Sequence, residues 1–341
     1  MKDTMHFLIT GHTGFKGAWL SLLLRERGHL VSGISLDPEV NSLFNLANVS
    51  DFLQHDIRLD ICDYERLEES FHVVNPDVVI HLAAQALVRE SYKNPVATIN
   101  TNVMGTINVV KAASTLETLS AQLIVTTDKV YENIGKSSGY IESDPLGGKD
   151  PYSASKAMAD IATQSWLSSF SNPPTAIARA GNVIGGGDIC TDRLIPDLVK
   201  SYSHGQVPKL RAPNSVRPWQ HVLDCLNGYL VLIDKILESG VGGAWNIGPD
   251  ESNFKSVANV SDLAGAIWGV DVKWVLDSAS HPHEADFLSL NSEKARSQLG
   301  WNERLNFEQS VEWTMNWYKN VANGADPLEQ CLNDIAKFEM M

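Results

Sequence analysis

The chain has 341 residues, a formal net charge of −14 and no apolar run long enough to span a bilayer. This length accommodates one large or two unequal domains, and the acidic balance disfavours nucleic acid or an acidic membrane as a general partner. The first strand-like run begins at Met5 and leaves no room for a signal peptide, so we expect a cytoplasmic protein without a membrane partner.

Strand-like apolar runs and helical patterns alternate along the first half of the chain. The strand candidates are Met5–Thr10, Leu30–Ser35, Asp77–Ala83, Leu123–Thr126 and Thr175–Ala180. The helix candidates are Phe15–Gly28, Tyr64–Val74, Pro95–Ser114 and Tyr152–Phe170. Strict alternation of this kind indicates right-handed crossovers and a parallel sheet covered by helices on both faces. We therefore predict an α/β fold, a doubly wound parallel sheet of the Rossmann type.

The alternation loosens after about Gly185, where loops rich in glycine and proline appear. Further helices are predicted near Arg217–Glu238, Ser256–Trp268 and Asn306–Lys319. We predict a dinucleotide-binding domain over residues 1–185, to whose sheet some later segments return. A smaller C-terminal substrate-binding domain would follow over 186–323, and a tail without a predicted element over 324–341.

A glycine-rich turn joins the first strand to the first helix. Gly11, Gly14 and Gly17 are spaced to allow a tight turn and close approach of backbone N–H groups to a pyrophosphate, with Thr13 and Phe15 between them. Glycines in a loop are weak support by themselves, but the strand–turn–helix context strengthens the interpretation.

Three further segments are predicted to contact the same dinucleotide. Ser35 stands at the end of the second strand, where an acidic residue usually holds the ribose of NAD, and no arginine stands beside it to favour a 2′-phosphate. NAD is therefore the predicted cofactor. Asp60 and Ile61 are expected to cover the adenine, although Asp60 fits a solvated loop as well. The small residues of the run Leu82, Ala83, Ala84 and Gln85 end a buried strand and would allow the backbone to approach the cofactor.

Tyr152 and Lys156 stand four residues apart on a predicted helix, so their side chains project from one face. An ammonium beside a phenol stabilises phenolate and lowers the tyrosine pKa, which suits a general base that acts on an alcohol. The alternative is a pair of exposed side chains on a helix. The position of Tyr152 and Lys156 after a nucleotide-binding turn favours the catalytic interpretation.

A hydroxyl, a carboxyl and an amine follow the Leu123–Thr126 strand as Thr127, Asp128 and Lys129. Strand ends in open parallel sheets face the ligand crevice, so these groups are candidates for acid/base work on one substrate. By themselves they fit a polar loop with an Asp–Lys ion pair equally well. Arg193, Arg211 and Arg217 are candidate anchors for a diphosphate, because guanidinium groups match phosphate oxygens. No metal site is predicted, since His281-Pro-His-Glu284 lacks further ligands.

These runs closely resemble the extended short-chain dehydrogenase/reductases and, within them, the CDP-glucose 4,6-dehydratases. The matching stretches, in order along most of the chain, are GHTGFKGAWLSLLL (11–24), HLAAQALVRESY (81–92), NTNVMGT (100–106), TTDKVYEN (126–133), DPLGGKDPYSASK (144–156), RAGNVIGGGD (179–188), DRLIPD (192–197), RPWQHVLD (217–224) and HPHEADFLSL (281–290). Within these stretches we also expect substrate contacts from Arg89, Asn182, His221 and His283.

The resemblance implies a reaction without net redox change. Tyr152 would deprotonate the hydroxyl at carbon 4 of glucose while NAD takes hydride, water would leave across carbons 5 and 6, and hydride would return to carbon 6. Thr127 would polarise the carbon 4 oxygen, and Asp128 would protonate the departing hydroxyl. Lys129 stands where the dTDP-glucose enzymes carry a glutamate base, and it would act either as a neutral base or as a cation that stabilises the enolate.

Two departures from the resembled group concern the substrate pocket. Residues 133–138 lack the tryptophans of that group, and Ile247 replaces a phenylalanine, so another nucleotide hexose is an alternative to CDP-glucose. A nucleotide-sugar epimerase or reductase would use the same Tyr152 and Lys156 without an Asp–Lys pair beside them. A non-catalytic NAD-binding protein would be expected to have lost that tyrosine or lysine. The resemblance also implies a homodimer joined through the helices near 95–114 and 152–170.

Overall fold

The computed structural model describes residues 4–136, 138–270, 273–279 and 288–341. The strands are β1 His6–Thr10, β2 Leu30–Ser35, β3 Asp56–Arg58, β4 Val78–His81, β5 Ala121–Val125, β6 Thr175–Ala180, β7 Asn182–Ile184, β8 Lys209–Leu210, β9 Val216–His221, β10 Gly243–Ile247, β11 Phe254–Ser256 and β12 Val275–Leu276. The α-helices are α1 Phe15–Glu26, α2 Leu43–Leu46, α3 Tyr64–Val74, α4 Val88–Lys93, α5 Pro95–Ile99, α6 Thr106–Ser114, α7 Pro151–Ser169, α8 Leu194–Ser203, α9 Val222–Ser239, α10 Val257–Trp268, α11 Glu293–Leu299, α12 Phe307–Ala322 and α13 Pro327–Glu339. Short 3₁₀ turns cover Val49–Phe52, Asp128–Val130 and Glu251–Asn253.

Seven parallel strands form the main sheet in the order β10-β6-β5-β4-β1-β2-β3. The direction of the strand order reverses between β1 and β4, and ligands of such sheets bind outside the carboxyl ends of the strands at this switch point. The predicted doubly wound parallel sheet is therefore confirmed. β10 lies at the sheet edge beside β6, while β11, β9 and β7 form a separate three-stranded sheet.

Alternate residues of the central strand enter two different cores. Leu8 of β1 packs with Leu67 of α3 and Val109 of α6 on one face of the sheet. Phe7 and Ile9 face the other side, where α1 and α9 supply much of a larger core. Since side chains of a strand alternate with a period of two, an apolar run of this kind is buried on both faces.

Two helices differ from their predicted bounds. The predicted helix over 95–114 is interrupted by a π-helical segment, Asn100–Gly105, which separates α5 from α6. The prediction of a helix from Arg217 was wrong, because Val216–His221 is strand β9, paired with β11 and β7, and α9 begins only at Val222.

The segment after Asn323, for which no element was predicted, contains helix α13. Asp326 accepts a hydrogen bond from Glu329 N as its N-cap, and Pro327 occupies the first turn. Cys331, Ile335 and Phe338 are buried against the large core at helical spacing. This helix is part of the packed fold. Within the described residues, no helix is long and apolar enough to cross a membrane.

Candidate functional site

The glycine turn after β1 brings three backbone segments into close contact. Gly11 has a φ of +81°, and a Cβ added there would lie 2.6 Å from the Ala83 amide nitrogen. A Cβ at Gly17 would lie 2.3 Å from the Gly11 carbonyl oxygen. Gly14 is the N-cap of α1, and neither a side-chain cap nor an acidic residue covers the first turn. The free amide groups and the helix dipole therefore suit an anion at this point.

A cavity of about 1440 Å³ runs from this turn along the carboxyl ends of the strands. Most of the predicted site residues that the structure describes line it: Gly11, Thr13, Gly14, Phe15, Gly17, Ser35, Asp60, Ile61, Leu82, Ala83, Ala84, Gln85, Arg89, Thr127, Lys129, Tyr152, Lys156, Asn182, Arg193, Arg211 and Arg217. Asp128 and His221 are not among the lining residues. His283 lies outside the described residues.

At the β2 end of the cavity the structure differs from the prediction that no arginine lies near Ser35. Ser35 is hydrogen-bonded to Thr13 through the two hydroxyl oxygens, 2.7 Å apart. Arg58 stands opposite Ser35 in the β2–β3 register, and its Nε lies 3.7 Å from the Asp37 carboxylate. An arginine therefore does lie near this strand end. It is held by Asp56 at 2.7 Å and does not line the cavity.

Helix α7 presents Tyr152 and Lys156 to the cavity. Asp150 and Ser153 form a capping box, and Pro151 occupies the first turn, so the helix begins just before the tyrosine. Both side chains are buried, and Lys156 Nζ donates to the Val125 carbonyl at 2.9 Å. That bond links the catalytic face of the helix to the end of β5.

The electrostatics of the pair differ from the sequence-based expectation. Burial raises the pKa of Tyr152, and the opposing influences are the charge of Lys129 first and a hydrogen bond from Thr127 second. Burial, followed by the charge of Lys16, lowers the pKa of Lys156 to about 8. The expectation that the ammonium four residues away sets a low tyrosine pKa was therefore wrong. Lys129 is the principal nearby cation that favours the phenolate.

Thr127, Asp128 and Lys129 form a compact cluster after β5. Thr127 Oγ1 donates to Asp128 Oδ1 at 2.9 Å, and Lys129 Nζ lies 3.4 Å from the same oxygen. Lys129 Nζ also lies 3.5 Å from Asn182 Oδ1. Asp128 is fully buried, and its other oxygen, Oδ2, has no hydrogen-bond partner among the described residues. An unpaired buried carboxyl oxygen of this kind is costly and is typical of functional sites.

Arginines on the opposite wall of the cavity are held by carboxylates. Arg193 Nη1 donates to Asp188 Oδ2 at 2.8 Å. Arg89 and Arg211 both approach Asp192, with Nη1 atoms 3.0 and 3.6 Å from its Oδ1. Arg217 is nearly buried and donates to the Val216 carbonyl. These side chains give the cavity a positively charged wall in an acidic protein.

His221 does not contact the cavity that the sequence assigned to it. Its Nδ1 caps α9 by accepting a hydrogen bond from Leu223 N, and its ring packs edge-on against Trp19 and Trp313. Burial lowers its pKa to about 3, so the ring is neutral. The expectation of a substrate contact was wrong because this side chain belongs to the α9 N-terminus and the core.

One residue without a predicted role connects the cofactor segment to the catalytic helix. Asn102, in the π-helical segment, is fully buried. Its amide donates to Gln85 O at 3.0 Å and Ser155 Oγ at 2.8 Å, and its Oδ1 accepts from Gln85 N at 2.8 Å. Ser155 in turn donates to Tyr152 O. The run NTNVMGT was recognised in the sequence as a matching motif. The hydrogen bonds from Asn102 to residues 17 and 53 positions away could not be read from it.

No group of three or more His, Cys, Asp or Glu side chains within the described ranges could hold a metal ion. The fold, the glycine turn and the Tyr152–Lys156 pair define a protein of the short-chain dehydrogenase/reductase class. A family model described as GDP-mannose 4,6 dehydratase matches residues 8–314. The chain belongs to this family of nucleotide-sugar dehydratases.

Individual relatives are similar over nearly the whole chain. A CDP-glucose 4,6-dehydratase from Salmonella typhimurium is 42% identical, over 94% of this chain and 92% of that protein. A dTDP-glucose 4,6-dehydratase from Neisseria meningitidis serogroup B is 28% identical, over 95% and 98%. The structure of a dTDP-glucose 4,6-dehydratase from Streptomyces venezuelae, solved with NAD bound, matches with a TM-score of 0.80 at 25% identity, covering 95% of this chain and all of that one.

Proposed function

We propose that this protein is an NAD-dependent hydro-lyase that converts CDP-glucose into CDP-4-keto-6-deoxyglucose. The proposal rests chiefly on one arrangement: Tyr152 and Lys156 share a cavity with Thr127 and Lys129, with the Asp128 carboxyl directly behind them. An epimerase or reductase needs Tyr152 and Lys156 but has no need for the Asp128–Lys129 pair. The 42% identity to a CDP-glucose 4,6-dehydratase supports the same substrate.

The residues present fit a dinucleotide. Gly11 leaves no room for a side chain against Ala83, and the uncapped first turn of α1 offers amide donors to a diphosphate. Ser35 and Thr13 would hold the adenosine ribose, and Asp60 and Ile61 would cover the adenine. The Leu82–Gln85 segment would pack against the remaining face of the dinucleotide. When bound, NAD accepts hydride from carbon 4 of the sugar and returns it to carbon 6.

The protein side chains supply the proton transfers. Tyr152, as phenolate, takes the proton of the carbon 4 hydroxyl, while Thr127 donates a hydrogen bond to the same oxygen. The resulting ketone acidifies carbon 5, whose proton passes to the Asp128 carboxylate, and the ammonium of Lys129 stabilises the enolate that forms. Lys129 Nζ lies 3.4 Å from Asp128 Oδ1 and 3.5 Å from Asn182 Oδ1. Asp128 then gives this proton to the hydroxyl that leaves carbon 6 as water. Once hydride has returned to carbon 6, the proton held by Tyr152 passes to carbon 5 through Lys129, which restores the phenolate.

The rest of the cavity would hold the nucleotide part of the substrate. Arg193, Arg211 and Arg217 supply guanidinium donors for the diphosphate, and Arg89 lies at the same wall. Asn182, beside Lys129, is placed to contact the sugar. Because Arg193, Arg211 and Arg217 all follow Gly185, we assign the substrate-binding part to 186–323 and the dinucleotide-binding part to 1–185.

We also propose a homodimer built through α5 and α7. Val96 and Ile99 of the first helix are 79% and 39% exposed, and Met158 and Ile161 of the second are 38% and 52% exposed. The two helices pack side by side, so these apolar side chains would form one surface that a second copy can bury. Sedimentation of the purified protein tests this proposal, and an Ile161→Glu variant should sediment as a monomer.

Incubation of the purified protein with NAD and CDP-glucose tests the proposed activity. Mass spectrometry should show a product lighter than the substrate by one water. An isomer of unchanged mass would identify an epimerase instead, and absence of any turnover would reject both enzymes. Parallel reactions with dTDP-, UDP- and GDP-glucose measure base selectivity. Tyr152→Phe serves as the control, because it removes the acidic proton while keeping the ring.

A further inference from the structure

Asp192 occupies an unusual position among the arginines of the cavity. Its Oδ1 lies 3.0 Å from Arg89 Nη1 and 3.6 Å from Arg211 Nη1, and its carbonyl oxygen accepts from Arg211 Nη2 at 3.1 Å. Arg89 follows β4, whereas Arg211 follows β8, so one carboxylate joins two distant segments across the site. All three residues line the cavity.

The backbone at Asp192 adds a second observation. Its φ is +65°, in the left-handed region that residues other than glycine, asparagine and aspartate seldom adopt. The preceding loop is anchored next to it, because Arg193 is tied to Asp188 at 2.8 Å. The turn therefore directs the Asp192 carboxylate towards Arg89 and Arg211 at a small conformational cost.

The surroundings of the Asp192 carboxylate resemble those of a bound anion. A carboxylate between two guanidinium groups makes the same kind of charge-assisted hydrogen bonds that a phosphate would make. Asp197 also lies near Arg211 and Asp192. Burial raises the pKa of its carboxyl, the charge of Arg211 lowers it, and the charge of Asp192 raises it further. A diphosphate that enters this wall must therefore compete with Asp192 for the same donors.

We propose that Asp192 is an internal counter-anion that sets the charge selectivity of the substrate site. In the free protein it neutralises Arg89 and Arg211. A ligand can replace it as the partner of these arginines only if the negative charge of the ligand exceeds that of one carboxylate. A nucleoside diphosphate meets this requirement, whereas a monoanion does not. The inference rests on the proposed function, because it assumes that the cavity takes a nucleotide sugar.

Calorimetric titration with CDP, which lacks the sugar and undergoes no reaction, tests this role. Asp192→Asn removes the charge and keeps a residue that tolerates the left-handed conformation. Asp192→Gly removes the whole carboxylate and relieves the backbone. Both variants should bind CDP roughly 3- to 10-fold more tightly than wild type, the size expected when two partly exposed ion pairs no longer have to be broken. At a pH well below its second pKa, where inorganic phosphate is a monoanion, both variants should also bind phosphate more tightly, so that the preference for CDP over phosphate narrows.

Glu90→Gln is the matched control, since it removes one negative charge from the cavity lining at a residue that contacts Lys93 and Asn94. An equal gain in this control would reduce the effect to net charge and overturn the proposal. Weaker or unchanged CDP binding in both Asp192 variants would also overturn it, because the carboxylate would then position the arginines or do nothing. Failure of wild type to bind CDP, dTDP, UDP or GDP alike would reject the proposed function, and this inference with it.

Discussion

Asp160 and Arg179 form a buried ion pair with two parallel hydrogen bonds. Arg179 Nε donates to Asp160 Oδ2 at 2.8 Å and Nη2 donates to Oδ1 at 2.9 Å, with both side chains at most 1% exposed. Asp160 lies one turn beyond Lys156 on α7, and Arg179 lies on β6. Arg179 also donates to Tyr131 OH and to the Glu142 carbonyl, both at 3.0 Å. The pair therefore fixes the catalytic helix to the sheet and to the segment after Lys129.

Replacement of either partner should destabilise the protein strongly. Arg179→Met leaves Asp160 as an uncompensated buried charge, and breaking such a pair costs about 3–5 kcal/mol in the free energy of unfolding. Asp160→Asn should have an effect of similar sign, and the double variant should lose less than the sum of the two. Chemical denaturation of the four proteins measures these values. Additive losses would show that the two groups do not interact energetically.

The sheet was predictable because its signal is local. Runs such as Phe7–Ile9 are apolar without interruption, and the helices between them repeat at the helical period, so each element is encoded within its own residues. β9 was not recognised, since its run Val216–His221 mixes Pro, Trp and polar residues and depends on pairing with β11 and β7. α13 did carry a local signal, Asp326-Pro327 followed by Cys331, Ile335 and Phe338.

The candidate site was predictable where residues share a motif. The glycine turn, the Tyr152–Lys156 pair and the run after β5 reach one cavity because parallel strands end at the same edge. Contacts between distant segments were not predictable. The Asp192–Arg89 pair spans 103 residues, and the packing of His221 between Trp19 and Trp313 depends on three separate elements. No periodicity or spacing in a single sequence records such pairs.

Lys129 should control the pH dependence of the first oxidation. Its charge is the largest influence that lowers the pKa of the buried Tyr152, so Lys129→Met raises that pKa and shifts the acidic limb of the rate profile to higher pH. The rate of NADH formation in a single turnover should fall at neutral pH and recover as the pH is raised. Lys235→Met is the control, because Lys235 is a half-buried α9 lysine paired with Glu238. An unshifted pH profile for Lys129→Met would show that the charge of Lys129 does not lower the pKa of Tyr152.

Asp128→Asn should separate oxidation from elimination. The variant keeps the shape of the buried side chain and its acceptor for Thr127, but it has no proton to give to the departing hydroxyl. Loss of a general acid typically costs about 10²–10⁴-fold in that step. A single turnover should therefore accumulate NADH, seen by absorbance, whereas Tyr152→Phe should form none. If both steps slow equally, the acid assignment is wrong and Asp128 serves only to orient Thr127.

Asn102 should act on cofactor affinity through the segments that it joins. Asn102→Ala removes three hydrogen bonds to Gln85 and Ser155, so the Leu82–Gln85 segment and α7 lose their mutual alignment. Loss of buried partners costs about 1–3 kcal/mol each where a donor or acceptor is left unpaired, and we expect NAD to bind at least about tenfold more weakly. Fluorescence titration with NAD measures the affinity, and thermal unfolding measures stability separately.

Thr163→Ala provides the comparison, because it removes from helix α7 a buried hydroxyl whose one hydrogen bond within the described part of the chain is to the Ala159 carbonyl. This control should lose some stability and keep wild-type affinity for NAD. Asn102→Asp retains the acceptor for Gln85 N but sets a carboxylate oxygen against the Gln85 carbonyl, so it should bind NAD no more tightly than the alanine variant. A purely structural residue would lower the unfolding temperature in all three variants and leave the NAD titrations superimposable. That result would remove Asn102 from the cofactor site, because its three bonds would then stabilise the fold without aligning the cofactor segment to the catalytic helix.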